Sequence, residues 1–418
     1  MLTDRGRFVL ALGGICYLAA WGFGSIPLYP VALGLVLAVV AAVAWIRLAG
    51  RPVALTRRLP AGAHIAGDDV PVSLQLRLGG RITPGSLVAL ERLEGLGERE
   101  VVLHRRAGLL RGSYVVERAP RGRHRFEATD VVVEDPFLLD RVVRPLAAPG
   151  TLLVQPRLVE LDRLFSETGS RLAEGRRLLL RRPSGFDLHS VREYEQGESL
   201  RRVHWPSTAR RGRLMVKDLE DSPRDETLVL LDADGAFAVG QAPDSSFEVA
   251  VSAAGSILRA HAGRGRRAGL VVNGLETRYQ PVQTLEGDWD LALDLLASVH
   301  PDGHMAVSTL LADGAGLPSR AVELCVVTSG LSSRLADRLL RRSVTRRGTS
   351  LVYVDPASFA VGAGPDTPLP ADARAQLARL DHAGVPVTVV RRGDDLASRL
   401  GPAAVSAREA VSLTGAAR

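Results

Sequence analysis

From Phe8 to Ile46 the chain carries no charged side chain, a run of 39 residues. That is long enough for two membrane-spanning helices of about 17–20 residues each. The break between them is expected at Ser25-Ile26-Pro27-Leu28-Tyr29-Pro30, where the prolines disfavour a continuous helix. Trp21, Tyr29 and Trp45 fall near the expected membrane interfaces, where amphipathic rings are favoured. Arg5 and Arg7 precede the first span, and Arg47, Arg51, Arg57 and Arg58 follow the second. By the positive-inside rule both ends then lie in the cytoplasm, in a two-span protein of the cell membrane with its soluble domains cytoplasmic. A cleaved signal peptide is the alternative, but two long spans with a basic exit argue against cleavage. The four exit arginines would also suit contact with anionic lipid.

The formal net charge is +7, and it is local. Residues 1–60 hold six arginines against one aspartate. Residues 171–217 hold 12 basic groups against five acidic ones, residues 61–170 are balanced, and the rest is acidic on balance. A nucleic-acid-binding protein more often spreads basicity over a whole domain face. Aromatic residues make up only 5%, too few for a base-stacking surface. Nucleic acid is therefore not an expected partner. Two cysteines, Cys16 and Cys325, exclude a disulfide framework or a cysteine-rich zinc site.

Residues 51–160 read as a β-sandwich-like module. Short alternating runs at Val70–Leu78, Ser86–Leu93, Glu100–His104, Gly112–Arg118, His124–Val133 and Gly150–Gln155 are separated by turn signals. Arg118, Arg121, Arg123, His124 and Arg125 are expected to form a solvated rim.

Residues 224–400 change period. Strands at 226–231, 268–273, 322–328, 350–355 and 385–390 alternate with amphipathic helices, which implies a doubly wound α/β sheet. Ligands bind such sheets at the carboxyl ends of their strands. Asp232, Asp234, Asn273, Thr328, Ser329 and Asp355 stand there. Asp232 and Asp234, two residues apart after a strand, are placed to converge on a hard cation such as Mg2+. The competing reading is that they cap the loop and the next helix. No nucleophile elbow or phosphate-binding loop is present, and Lys217 is the single lysine. Residues 401–418 read as a tail.

Residues 161–223 form a basic segment joined to the α/β domain. Within it, 185–218 is dense in Arg, Tyr, Trp, His and Glu, a composition suited to charge–aromatic pairing. A network through Arg192, Tyr194, Glu195, Glu198, Arg201, Trp205 and Arg210 either orders the segment or forms a recognition surface. Leu214–Leu219 is expected to pair with the strand Thr227–Leu231.

This stretch resembles the signature of the DUF58 family, a domain of unknown function. The matching positions are Gly185-Phe186, Arg192 and Tyr194, Gly197-Glu198, Arg201, Val203 and Trp205, and Ala209-Arg210. The resemblance extends to the hydrophobic hairpin, and to Arg121-Gly122 and Asp135-Pro136-Phe137 in the strand-rich module. It implies that the α/β domain is similar to a von Willebrand factor A domain. Such domains can hold Mg2+ through Asp-x-Ser-x-Ser with a later Thr and Asp. Here Asp234 and Ala236 replace the two serines, and Thr328-Ser329-Gly330 stands where Asp-Gly is expected.

The resemblance also implies linkage to MoxR-type AAA+ ATPases, sometimes together with transglutaminase-like membrane proteins. The expected function is a membrane-anchored, non-enzymatic adaptor for such an ATPase. The alternative is a divalent-cation-dependent hydrolase or metal-dependent ligand-binding domain using Asp232 and Asp234.

Overall fold

The structure is a computed structural model. It describes residues 1–49, 51–79, 84–106, 109–168, 188–193, 205–219, 226–283, 285–313, 321–344, 348–364 and 367–402. Gly185, Phe186, Tyr194, Glu195, Gly197, Glu198 and Arg201 lie outside the described residues, as does most of the tail. The chain divides into two compact units, Met1–Gln155 and Pro156–Arg418.

The first unit opens with helices α1 (Asp4–Phe23) and α2 (Leu28–Leu48). Both are long and apolar enough to cross a membrane. Thr3 caps α1 by accepting the Gly6 N–H, and Gly24 ends it in the left-handed conformation. Pro30 sits in the first turn of α2, where a missing N–H costs no helical hydrogen bond, so the break is the short connector before it. Gly13 lets the helices approach. A β-carbon there would lie 3.2 Å from Val36 and 3.3 Å from Leu35.

Eleven strands follow among the described residues. They are β1 (Arg51–Arg58), β2 (His64–Ile65), β3 (Val70–Gly79), β4 (Ser86–Leu93), β5 (Gly97–Val102), β6 (His104–Arg106), β7 (Leu109–Val116), β8 (Gly122–Phe126), β9 (Thr129–Glu134), β10 (Arg141–Leu146) and β11 (Gly150–Gln155). One sheet has the order β1-β3-β7-β6. The other has β10-β9-β4-β8-β11-β2, with β5 beside β4. Alternate residues of both sheets, among them Val72, Leu74, Leu87, Ala89, Val131 and Leu152, enter one hydrophobic core.

The expected strand His124–Val133 is two strands. Phe126 and Val131 both face the core, so the period of two slips between them and the chain must turn at Glu127–Ala128. Of the expected rim, Arg118, Arg123 and Arg125 are exposed, but Arg121 is buried and His124 is half-buried, with its Nε2 2.9 Å from the Pro120 carbonyl.

Glu91 occupies an inward position of β4 and is fully buried. Arg57 Nη2 lies 2.5 Å from its Oε1, Tyr114 donates to its Oε2 at 2.7 Å, and Thr129 donates to Oε1 at 3.0 Å. The Arg57 guanidinium lies 3.7 Å from the Phe126 ring centroid. Burial first, then the Glu91 hydrogen bond, push the Tyr114 phenol far above its ordinary range. Arg57 is thus a core ion-pair partner and not a lipid contact, which removes it from the basic exit patch.

The second unit contains a single turn α3 (Phe165–Thr168), strands β12 (Leu188–Glu193) and β13 (Met215–Leu219), and helix α4 (Trp205–Arg211) between them. Then come β14 (Glu226–Asp232), α5 (Ser246–Gly263), β15 (Ala268–Asn273), β16 (Thr277–Val282), α6 (Asp288–Ser298), α7 (Val307–Asp313), β17 (Ala321–Thr328), α8 (Ser333–Val344), β18 (Gly348–Val354), α9 (Ala371–His382), β19 (Val387–Val390) and α10 (Leu396–Leu400). The large sheet has the order β16-β15-β14-β17-β18-β19, parallel except for β16. Val229 and Leu231 of β14 pack with α5, while Leu228 and Leu230 pack in the cluster of α7, α8 and α9. Helices therefore cover both faces, as the alternating pattern predicts.

The expected pairing of Leu214–Leu219 with β14 is corrected. Both edges of β14 are taken by β15 and β17, and β13 pairs antiparallel with β12 instead.

Candidate functional site

Strand β14 leads through α5 to β15 on one side, and the chain later returns as β17 on the other. The carboxyl ends of β14 and β17 are thus a topological switch point, where side chains of adjacent strands face a common crevice. Asp232 and Thr328 stand there. Thr328 Oγ1 donates to Asp232 Oδ2 at 2.7 Å, and the same hydroxyl accepts the Gly330 N–H at 2.8 Å. Asp232 Oδ1 accepts from the Asp234 backbone N–H and from Asn273 Nδ2, both at 3.3 Å. Asn273 Nδ2 also donates to the Met305 carbonyl at 2.6 Å, which leaves its buried Oδ1 without a partner.

A loop closes over these residues. Gly303 donates to the Ala233 carbonyl at 2.9 Å and accepts from Gly235 at 3.2 Å. A β-carbon at Gly303 would sit 2.7 Å from the Asn273 carbonyl oxygen, so this approach requires glycine. Burial raises the Asp232 pKa above the ordinary carboxylate value, and the Thr328, Asn273 and Asp234 hydrogen bonds partly offset it.

The structure brings Asp232, Asn273 and Thr328 together but uses Asp234 differently. Its carboxylate accepts the Ala236 N–H at 2.9 Å and caps a short 3-10 turn. Asp355 caps its own turn at Ala357 N, 3.2 Å away. A Mg2+ ion takes near-octahedral oxygen coordination. Both Asp232 oxygens already accept hydrogen bonds, Asp234 serves as a cap, and position 236 is alanine. Among the described residues, no three His, Cys, Asp or Glu side chains are grouped to hold a metal. The donors as arranged do not fit the ion, and the capping reading of Asp234 describes its geometry.

Of the basic segment, Arg192 lies on β12 opposite Val216. Trp205 opens α4 and is 66% exposed. Arg210 and Arg211 close that helix and are also exposed. Thr208 Oγ1 accepts the Met215 N–H at 3.0 Å, and Gly212 at φ 66° turns the chain into β13. None of the helix's residues is buried, and the Trp205 side chain is exposed.

One feature went unread in the sequence. Arg334, Arg338 and Arg341 follow one face of α8 at helical spacing, and with Ser308 and Thr309 they line a groove of about 400 Å³. The signal was available as Arg-x3-Arg-x2-Arg, but charged helix faces are common enough to hide it.

Comparison with known proteins matches part of the chain. Residues 190–363 match the family described as protein of unknown function DUF58. That segment, somewhat under half of the chain, is similar to the DUF58 family. The matched region contains Arg192, Trp205, Asp232 and Thr328. The chain is 28% identical over 221 residues to the uncharacterized protein YeaD of Bacillus subtilis, covering 53% of this chain and 54% of that protein. It therefore spans about half the length of that curated relative. Among solved structures, Cwp6 from Clostridium difficile aligns at 12% identity and TM-score 0.19, over 81% of this chain and 37% of that one. A glycosyl hydrolase family 2 member from Bacteroides cellulosilyticus aligns at 11% identity and TM-score 0.15, over 83% and 46%. Neither likeness carries an argument about this chain.

Proposed function

We propose that this chain is a membrane-anchored, non-enzymatic docking protein whose partner is a MoxR-type AAA+ ATPase. The observation that carries the reading is Trp205, held out to solvent beside Arg210 and Arg211 on a helix with no buried residue. Tryptophan and arginine dominate the binding energy of protein interfaces. A solvated indole gains by being covered, at about 25 cal/mol per Å² of apolar area.

On this reading α1 and α2 cross the membrane with both ends in the cytoplasm, favoured by the flanking arginines. The two sheets over one core serve as a β-sandwich-like spacer. The six-stranded sheet serves as a von Willebrand factor A-like domain, and a transglutaminase-like membrane protein joins the assembly. A hydrolase built on Asp232 and Asp234 has less support, because both carboxylates are already engaged within the fold.

The test is a crosslinked pull-down of the full chain from native membranes, beside a Trp205→Ala/Arg210→Ala variant shown to be folded by circular dichroism. Recovery of an AAA+ ATPase with the wild type and its loss with the variant supports the proposal. Equal recovery with both removes Trp205 from the contact, and recovery with neither removes the ATPase.

A further inference from the structure

We propose that the turn Asp135–Asp140 is a third membrane contact, with Phe137 inserted among the lipids beside the helical hairpin. The inference rests on the reading that α1 and α2 span the bilayer, and it adds a lipid-binding site to the β-rich part of the same unit.

The turn is held against the base of the hairpin. Thr3 N donates to the Leu139 carbonyl at 3.0 Å, and Thr3 Oγ1 donates to the Leu138 carbonyl at 2.6 Å. Gly6 lies against the Leu139 carbonyl oxygen so closely that no β-carbon fits there. The Leu139 side chain is buried with Val39 and Ala42 of α2, and Leu2 and Val9 pack against the same cluster.

Those partners set the depth. Ala42 and Val39 precede Arg47 by five and eight residues. At 1.5 Å per residue they lie about 7–12 Å inside the level of that charge. Val9 lies just within the uncharged run on α1. The Leu139 backbone lies at Thr3 and Gly6, level with Arg5 and Arg7, so the turn sits at the headgroup boundary while the Leu139 side chain reaches inward, within the roughly 5–10 Å that interfacial apolar segments bury.

The exposed tip has the matching chemistry. Pro136 and Phe137 project outward, and Phe137 is 73% exposed. The four residues Pro136 to Leu139 carry no charge. Arg141 and Arg144 follow on β10 and are exposed, as residues at an anionic headgroup surface would be.

The turn is rigid, so the phenyl ring cannot simply fold back. Asp135 is fully buried, and its carboxylate accepts the N–H groups of Phe137 at 2.8 Å and of Leu139 and Asp140 at 2.7 Å. Leu138 is held at φ 59°, a conformation that a leucine seldom adopts. Strain of this kind persists where the surroundings over-determine it and clusters at functional positions. Here it buries Leu139 against the helices while Phe137 is turned outward.

The test uses the full chain in nanodiscs of equal parts phosphatidylcholine and phosphatidylglycerol, in a Cys16→Ala/Cys325→Ala background. A spin label is placed at Phe137→Cys, and separately at Pro136→Cys. Reference labels sit at Leu37→Cys in α2 and at the exposed Val361→Cys. Collision with oxygen is compared with collision with a water-soluble nickel chelate. The expected result is an oxygen-favoured label at 136, 137 and 37, and a chelate-favoured label at 361. If 136 and 137 behave like 361 while 37 stays oxygen-favoured, the hairpin spans and the inserted turn is wrong. If 37 is also chelate-favoured, the spanning reading fails and this inference falls with it.

Discussion

Arg57 on β1 and Glu91 on β4 form an ion pair of 2.5 Å that joins the two sheets of the first unit through its core. Both side chains are almost wholly removed from water. The carboxylate is tolerated there because Tyr114 and Thr129 donate to it as well, so every strong acceptor position is used.

Removing one partner leaves a buried charge uncompensated. Glu91→Ala is expected to destabilise the protein by about 3–5 kcal/mol. Chemical denaturation followed by circular dichroism in detergent measures it. A change under about 1 kcal/mol would be that of an exposed pair and would contradict the burial.

Asp232 supplies a pH signature. Its pKa is raised in the folded protein, so the native state binds the proton more tightly than the unfolded chain. Stability is therefore expected to fall as pH rises from the unfolded value, about 3.9, through the raised folded value, and to stay lower above it. Asp232→Asn keeps an acceptor for Asp234 N and Asn273 Nδ2, while its amide donates to Thr328 Oγ1, whose own proton turns to the Gly330 carbonyl 3.1 Å away. The variant is expected to fold and to lose this component of the pH profile. Thermal melts of the two proteins between pH 4 and 8 compare them. Identical profiles would show that Asp232 titrates as an ordinary surface carboxylate.

The arginine face of α8 predicts an acidic contact. Arg338→Glu/Arg341→Glu is expected to reduce ATPase recovery at low salt and to make recovery less sensitive to added salt, because screened charge pairs dominate such steering. Both side chains are exposed, so the fold should be unaffected. Unchanged recovery across 50–300 mM salt would remove this face from the interface.

The hairpin and the alternating α/β pattern were legible because each is a long periodic signal. An uncharged run of this length and buried β-branched strands between amphipathic helices have few other folded solutions. Asp232, Asn273 and Thr328 could be named individually from their strand ends. Their union depended on strand order, which puts β15 and β17 on either side of β14, and local sequence does not encode that order. Arg57 was misread for a related reason. Its basic neighbours Arg51 and Arg58 make a plausible membrane flank, whereas its true partner is 34 residues away on another sheet. Trp205 reads in sequence either as part of a network that orders the segment or as a recognition residue, and sequence alone does not give its exposure.

The most direct test of the docking account is a photocrosslinking amino acid placed at position 205 of the full-length protein in native membranes, with position 361 as an exposed control. The account predicts a crosslink to an AAA+ ATPase from position 205 and none from 361. A protein that reaches the membrane intact but crosslinks from 205 only to itself or to lipid would contradict it.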